Sequence, residues 1–414
     1  MTTAVNMAVS SAPSVARADA RLAGIGYPTR RDEAWRYAPH RRLGDLRFGP
    51  SLGVGDLLDD ALAARIDESI PALGGPRIVV VNGVVDHEHS RFDAPDGVRL
   101  STIAESPDVA LEHRLDDEAA DAYRAVNIAY AYDGAVVDVD EGVACDVPIH
   151  VVDVAVPGVV PNASCTGVVV HLRAGSSATV VETRIGLGDD FGGSNVLTTV
   201  RVDEDATLDH VLLQDLPAAQ VHLGRMEVTQ DARSTFRTRS YNLGAFYGRL
   251  DCDVVLDGPG ATADLGGLYF GVGDQILDQQ ITVVHAATDC TSRQSYRGVL
   301  DDASTGVFRG GIDVRPGADG TDAAQSNDNL LLSDRAEVDT QPRLEILADE
   351  VACTHGATVG QLDDTALYYL RSRGITSTDA RRLLINGFAD QIVDDVADDT
   401  ARQWITRRLG HDHD

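Results

Sequence analysis

The chain has 414 residues, 43% of them hydrophobic, and a formal net charge of −30 at pH 7. So strong a negative field repels phosphate backbones, which argues against nucleic acid as a partner. No run of about 18 apolar residues occurs, so neither a membrane-spanning helix nor a membrane partner is predicted. The sequence contains no lysine, which excludes the P-loop motif of nucleotide hydrolases. These properties predict a cytoplasmic globular protein that hydrolyses no nucleotide itself.

The N-terminal part of the chain precedes its most regular region. Residues 1–20 lack the basic start and apolar core of a secretion signal, and are predicted to form a disordered tail. Residues 21–145 are predicted to be mostly helical, with one helical stretch over 54–70. They also contain a short β-hairpin, because Asn82-Gly83 separates two apolar runs and an Asn-Gly pair favours a two-residue hairpin turn.

Residues 146–360 carry a weak internal repeat. Alternating β-branched residues are followed by a Gly/Asp-rich turn and then by a small residue before a threonine. The marker threonines are Thr179, Thr207, Thr235, Thr262, Thr305 and Thr358. The alternation predicts strands, and a period near 28 residues predicts units that bury their apolar faces only by stacking. The sequence therefore predicts a mainly β fold with a parallel β-helix (solenoid) core. A β-sandwich with evenly spaced hairpins is the alternative.

Residues 361–414 are predicted to form a C-terminal helical domain. Asp363 can cap a first helix, which Gly374 would end in a left-handed conformation. Thr376 and Asp379 resemble the capping box of a second helix. The first helix carries the apolar residues Leu367 and Leu370, and Ala380, Leu383 and Leu384 are predicted to share one face of the second. These apolar residues need cover from the solenoid or from a partner.

Cys353-Thr354-His355 is the sharpest candidate for chemistry. On a strand, side chains two positions apart project to the same face, so a thiol and an imidazole would stand side by side. Such a pair can bind iron or zinc, although a partner chain, a substrate or a cluster would have to supply the remaining ligands. A buried cysteine beside a hydrogen-bonded histidine, with no metal, is the alternative. The five cysteines form no CxxC pair and are predicted to be reduced thiols.

Several segments together are specific enough to indicate a family. The longest match runs from Gln325 to Phe388 through QSNDNLLLSDRAEVDTQPRLEI, VACTHGATVGQLDD, LYYLRSRGI and LLINGF. PTRRDEAWRY from Pro28, IVVVNG from Ile78 and FRGGIDV from Phe308 agree with it. With these segments the chain resembles the SufB/SufD family, the scaffold subunits of the SUF iron–sulfur cluster assembly system.

The resemblance implies a right-handed β-helix between N-terminal and C-terminal helical regions, in a non-catalytic subunit of an ATP-driven assembly complex. It implies pairing with a SufB paralogue through the β-helix, or homodimers when the chain is alone, and sulfur arriving indirectly from a cysteine desulfurase. His355 and Cys353 would be interfacial metal ligands that meet iron or an Fe–S cluster transiently, and the isolated chain would hold no cofactor. The C-terminal helices would dock a SufC-type ATPase. The residues of this chain that are predicted to contact the ATPase are Leu367, Leu370, Leu383, Leu384 and Phe388.

Two positions favour the SufD branch of this family over the SufB branch. Ala336 stands where the SufB pattern has a cysteine that holds sulfur and cluster, and Gly356 stands where SufB has a glutamate. The cluster-holding SufB branch remains one alternative. A β-helix carbohydrate-active enzyme is another, since such folds often host acidic catalytic pairs, although many aspartates here fall in turns such as Asp301-Asp302.

Overall fold

The computed structural model describes residues 24–48, 60–106, 121–158, 161–396 and 398–411. The predicted tail 1–20 lies outside these residues. Of the predicted helical stretch 54–70, the described part contains the helix Asp60–Ser69. None of the described helices is both long enough and apolar enough to cross a membrane.

Short helices and short strands alternate in the N-terminal region. The helical elements are a 3-10 turn at Glu33–Trp35, α1 (His40–Asp45), α2 (Asp60–Ser69) and α3 (Ala122–Tyr130). The strands are β1 (Arg47–Phe48), β2 (Arg77–Val81), β3 (Val84–Arg91), β4 (Val98–Thr102) and β5 (Gly134–Val139). The predicted hairpin is confirmed: β2 and β3 pair antiparallel, and Asn82 and Gly83 between them have φ of 49° and 78°.

The rest of the β structure is a regular coil of long strands. They are β6 (Ile149–Ala155), β7 (Asn162–Leu172), β8 (Ser177–Gly186), β9 (Gly193–Val202), β10 (Thr207–Asp215), β11 (Val221–Gln230), β12 (Thr235–Asn242), β13 (Tyr247–Leu256), β14 (Thr262–Gly271), β15 (Ile276–His285), β16 (Thr291–Leu300), β17 (Thr305–Val314), β18 (Thr321–Leu331), β19 (Glu337–Ile346) and β20 (Val351–Gln361). Even-numbered strands from β6 to β20 stack in parallel in one sheet, and odd-numbered strands from β5 to β19 in the other. The parallel β-helix is thus confirmed, and the β-sandwich alternative is wrong because each strand pairs with the next but one along the chain.

One corner of the coil explains the repeat in the sequence. A residue with positive φ is followed by a fully buried small residue and then by the first residue of an even-numbered strand. The left-handed residues are Gly175, Asp205, Arg233, Gly260 and Asp289. The small residues are Ser176, Ala206, Ser234, Ala261 and Cys290. Each left-handed residue donates its amide to the next turn of the coil, as in Asp205 N to Ala232 O at 3.0 Å.

The marker threonines fall only partly on this corner. Thr207, Thr235 and Thr262 stack in register, as the period predicts. Thr179 lies two residues past the position that pairs with Thr207, which Ser177 occupies. Thr305 begins a strand of the other sheet, and Thr358 lies within β20. At the second corner Ser304 is likewise fully buried before Thr305, but the residue with positive φ, Asp302, stands two positions before Ser304.

The two ends of the coil differ. At the first end, β3 and β4 pair antiparallel with β2 and β5 and so end the two parallel stacks. At the last end, β19 and β20 are the final strands of their sheets. Their outer edges have no strand neighbour in the described part of the chain.

The N-terminal segment lies across the sheet of odd-numbered strands. Trp35 stacks under the Arg249 guanidinium, 3.8 Å from ring centroid to carbon, and the Ala34 carbonyl accepts from Arg249 Nη1 at 2.7 Å. Farther along, the Tyr37 hydroxyl donates to Asp339 Oδ1 on β19 at 2.8 Å. Glu33 pairs with Arg309 on β17 at 3.2 Å. This segment therefore ties several turns of the coil together, including its last strand.

Three C-terminal helices follow β20: α4 (Asp364–Ser372), α5 (Ser377–Val393) and α6 (Asp399–His411). The predicted caps are confirmed: Asp363 accepts from Thr365 N, Thr376 accepts from Asp379 N, and Gly374 has φ of 88°. The apolar faces of α5 and α6 pack on the sheet of even-numbered strands in one buried cluster. In contrast, α4 has no buried residue.

Candidate functional site

The last turn of the coil is the most exposed part of its β structure. Most residues of β20 are exposed to solvent, and those of β19 are exposed or half-buried. An edge strand presents unpaired N–H and C=O groups that can pair with a strand of another chain. Three large apolar side chains are exposed beside these edges: Ile346, Leu347 and Val359 at 39%, 54% and 51%. This open end combines free backbone groups with apolar surface.

Cys353 and His355 both lie on β20, at the mouth of the lumen, which is the space enclosed between the two sheets. Cys353 is in register with Ala323 of β18, and His355 with Gln325. Ala323 and Gln325 are buried side chains that face the lumen. Because register partners on neighbouring strands project to the same side, the thiol and the imidazole continue the lumen-facing row. The structure thus brings the two predicted ligands to one face.

The environments of the two predicted ligands differ. Cys353 is half-buried and packs against the apolar cluster that contains Ile312 and Ala323, whereas His355 is exposed. Burial raises the pKa of the Cys353 thiol, and Asp322 adds to the rise, although a backbone hydrogen bond from Ala323 opposes it. Since the thiolate is the form that binds metals, His355 is the readier ligand of the two.

The described residues contain no group of three or more His, Cys, Asp or Glu side chains that could hold a metal ion. Cys353 and His355 therefore supply at most two ligands. A complete site at this position requires groups from outside the described chain, which agrees with the location of the pair at an open edge.

A buried charged cluster inside the coil was missed by the sequence analysis. Arg184 Nη2 lies 2.9 Å from Glu182 Oε2, and His210 Nε2 lies 3.1 Å from Glu182 Oε1. All three side chains are at most 2% exposed. Burial by itself would raise the pKa of Glu182, but the Arg184 guanidinium and His210 outweigh it and lower the pKa to about 2. The only signal in the sequence was the placement of Glu182 and Arg184 at the inward-facing phase of an apolar strand.

The C-terminal helices expose a second apolar surface. Tyr368 and Tyr369 of α4 are 73% and 56% exposed, and Leu383 of α5 is 52% exposed. The other predicted contact residues, which are Leu367, Leu370, Leu384 and Phe388, are half-buried. Leu383 does not share the buried face of Ala380, since Ala380 packs inward and is fully buried. The two tyrosines were not among the predicted contacts.

Phe388 is held against the coil. The Arg297 guanidinium lies 4.7 Å from the centre of its ring, and Arg297 Nη1 donates to the Phe388 carbonyl at 2.5 Å. Phe388 therefore helps to attach α5 to the sheet. Tyr368, Tyr369 and Leu383 are the large exposed apolar residues of the two helices, and together they are called the α4–α5 patch below.

Comparisons with known proteins agree with one another. The family model described as "SUF system FeS cluster assembly, SufBD core domain" matches residues 157–388. The iron–sulfur cluster assembly protein SufD of Escherichia coli is 29% identical over 94% of this chain and 90% of that protein. An iron–sulfur cluster assembly SufBD family protein of Mycobacterium leprae is 30% identical over 93% of this chain and 90% of that protein. A chloroplastic protein of Arabidopsis thaliana is 27% identical over 90% and 80% of the two chains.

Proposed function

The chain belongs to the SufBD core family of the SUF iron–sulfur cluster assembly system, and we propose that it serves there as the SufD-type scaffold subunit. Its general role is in iron–sulfur cluster assembly. The specific proposal is that it pairs with a SufB-type paralogue, docks a SufC-type ATPase and helps iron to enter the cluster under construction. The observation that carries the proposal is the last strand β20, whose outer edge has no strand neighbour among the described residues and which exposes His355 at its lumen-facing side.

The open end is the proposed contact with SufB. A partner strand can extend the sheet that ends in β20 by pairing with the outer edge of that strand, whereas β19 carries four charged residues and a proline that discourage pairing. Such pairing would bury the exposed Ile346, Leu347 and Val359 as well as backbone groups. It would also bring the partner's side chains to the lumen mouth, where Cys353 and His355 lie.

Iron and sulfide are substrates of this assembly step. The imidazole of His355 and the thiol of Cys353 offer one borderline and one soft ligand, which suit iron. The partner chain and sulfide would supply the remaining ligands. His355 is the leading ligand because it is accessible, whereas Cys353 must first lose a proton that burial helps it to retain.

Ala336 supports the SufD-type assignment over the SufB alternative. It is 6% exposed and packs in the main apolar cluster at the corner before β19. A methyl group at this position offers no ligand to sulfur or iron. Membership of a cluster-assembly family also argues against the carbohydrate-active alternative. Asp301 argues against it too, because its carboxylate accepts from the Asp302 amide within a turn.

The α4–α5 patch is the proposed dock for the ATPase. The residues of the patch are exposed on α4 and α5, and no residue of α4 is buried. A nucleotide-driven change in a SufC-type partner can then move α4 and α5 and bias the arrangement at the open end. Nucleotide can do so only by favouring one of two conformations of the complex.

The test of the metal role compares two variants of β20. His355→Ala, co-expressed with SufB-type and SufC-type partners, should give a complex of unchanged mass that no longer supports cluster formation. Thr354→Ala is the matched control, since Thr354 is exposed on the opposite face of the same strand. Cluster formation by His355→Ala at the rate of the control would refute the role.

The test of the docking role changes the α4–α5 patch. Tyr368→Ser combined with Leu383→Ser should leave the unfolding midpoint unchanged and abolish co-purification of the ATPase. Gln403→Ser, an exposed change on α6, is the control. Retention of the ATPase at full yield by the double variant would show that it binds elsewhere.

A further inference from the structure

Directly beneath His355, the lumen is lined by a layer of amide side chains. Gln325, Asn327 and Asn329 occupy alternate positions of β18 and are 4%, 1% and 2% exposed. They are in register with His355, Ala357 and Val359 of the uncovered strand. Any side chain that closes the lumen mouth therefore meets buried polar groups, which must be hydrogen-bonded if they are not to cost stability.

Two of these amides are satisfied among themselves. Asn329 Nδ2 donates to Asn327 Oδ1 at 2.7 Å, and Asn327 Nδ2 donates to the Tyr269 hydroxyl at 3.0 Å. The Tyr269 hydroxyl in turn donates to Asn329 Oδ1. The three groups close a ring of hydrogen bonds, so each asparagine oxygen already accepts at least one hydrogen bond.

Gln325 is different, because its hydrogen bonds fix its orientation and leave its oxygen unused. Gln294 Nε2 donates to the Gly311 carbonyl at 3.0 Å, and a carbonyl can only accept. Gln294 Oε1 is therefore the atom that accepts from Gln325 Nε2, at 2.7 Å. Gln325 Oε1 is then left buried and without a hydrogen-bond partner among the described residues.

The neighbouring backbone is shaped to hold Gln325 in this position. A Cβ atom added at Gly310 would lie 1.9 Å from Gln325 Nε2. Glycine at this position thus leaves the space that the amide needs. The acceptor is consequently held in place by a neighbouring amide and by a close approach of β17.

We propose that Gln325 is a positioning residue for His355, with Gln325 Oε1 accepting the N–H of the imidazole. A neutral imidazole carries one N–H and one lone pair, and a metal-bound histidine usually gives its N–H to a second group that fixes the ring. The hydrogen bond would thus determine which ring nitrogen keeps its lone pair for iron. This inference rests on the proposed role of His355 as a ligand.

The two side chains are not hydrogen-bonded while the end of the coil is uncovered and His355 is exposed to solvent. A partner strand on β20 would remove solvent from the imidazole, and its N–H would then need an acceptor. Gln325 Oε1 is the unpaired acceptor in the register position beside it. The Thr340 hydroxyl, on the lumen side of β19, is a competing donor because it too is buried and unpaired among the described residues.

The experiment measures the tautomer of His355 in the complex with a SufB-type partner. Histidine labelled with ¹⁵N in the ring is incorporated into this chain alone, and the sedimented complex is studied by magic-angle-spinning NMR. The signals that disappear in His355→Gln are assigned to His355. One tautomer should dominate in the wild type. Gln325→Met, which keeps length and loses the acceptor, should give a mixture of tautomers. Gln361→Met, an exposed change on β20, should alter nothing.

Further variants keep the result decisive. Gln325→Glu preserves an acceptor and should move the His355 nitrogen shifts toward the doubly protonated ring. Thr340→Val should leave the tautomer unchanged. Ferrous iron should bind roughly 10-fold to 100-fold more weakly to the Gln325→Met complex than to the wild type. Unchanged His355 shifts in both Gln325 variants, or loss of the single tautomer in Thr340→Val alone, would overturn the inference.

The outcome is separable from that of the proposed function. Normal cluster formation in His355→Ala, together with a changed tautomer in Gln325→Met, would refute the ligand role while leaving the hydrogen bond in place. Loss of cluster formation in His355→Ala, with no change of tautomer in the Gln325 variants, would refute the hydrogen bond and leave the ligand role in place.

Discussion

Asp153 carries a carboxyl group inside the coil that should make the protein less stable as the pH rises. It lies on the inward face of β6 and is 2% exposed. Its Oδ1 accepts from the Thr166 hydroxyl at 2.6 Å, while Oδ2 has no hydrogen-bond partner among the described residues. Burial raises the pKa of Asp153 from 3.8 to about 6, even though Thr166 and Arg184 act in the opposite direction.

The raised pKa fixes both the sign and the size of the effect. Between pH 3.8 and about 6 the folded chain binds this proton more tightly than the unfolded chain does. The free energy of unfolding therefore falls as the pH rises through this window. A rise of the pKa from 3.8 to about 6 corresponds to about 3 kcal/mol, lost in full above pH 6. Asp153→Asn keeps the acceptor for Thr166 and cannot ionise, so it should escape this loss.

Urea unfolding from pH 4 to pH 8 measures the difference between Asp153→Asn and the wild type. The stability gained by the variant should grow by about 2 kcal/mol between pH 4 and pH 7, because part of the total is already lost at pH 4, and other carboxylates cancel because both proteins carry them. Asp209→Asn is the control, since Asp209 faces solvent on β10 and pairs with Arg237 at 3.0 Å. A difference between Asp153→Asn and the wild type that does not vary with pH would refute the reasoning.

Two further substitutions test the packing described above. Gly224→Ala should destabilise the fold by about 1–3 kcal/mol in thermal or urea unfolding, because its Cβ would lie 2.5 Å from Arg184 Nη1 inside a closed lumen. Gly356→Ala, with nothing within 4 Å, should stay close to the wild type, and equal losses in the two would contradict the prediction. Tyr37→Phe removes the hydrogen bond to Asp339 and should cost about 1 kcal/mol. Hydrogen exchange of the β19 amides should then quicken, and unchanged exchange there would show that the N-terminal segment does not hold the last strand.

The sequence predicted the coil because stacking repeats one set of local demands every turn. A left-handed residue, a small buried residue and a threonine recur at one corner, as at Asp205, Ala206 and Thr207. The other corner also has a buried small residue before a threonine, at Ser304 and Thr305, so the pattern could not distinguish the two sheets. The length of the repeat was therefore predictable from the sequence, whereas the register between neighbouring strands was not.

Polar groups inside the coil were beyond the reach of sequence patterns. Alternation places Glu182 and Arg184 in phase with the inward-facing apolar residues of β8, but it does not show that His210 of a neighbouring strand pairs with Glu182. The free oxygen of Gln325 depends on the Gly311 carbonyl and Gln294, which come from two other strands. In contrast, the caps at Asp363 and Thr376 depend on residues within one turn of helix, and the sequence predicted them correctly.

The antiparallel strands at the first end of the coil limit how far such chains can join. The edge strand β3 carries Asp86, Glu88 and Arg91, and inserted charges of this kind discourage further pairing. The opposite edge, β20, has no Asp, Glu or Arg along its length. If two coils pair through the uncharged edge of β20, as proposed, each is left with the charged β3 edge at its other end. Such a pair would not grow into a filament, because neither of its outer ends favours the addition of a further strand.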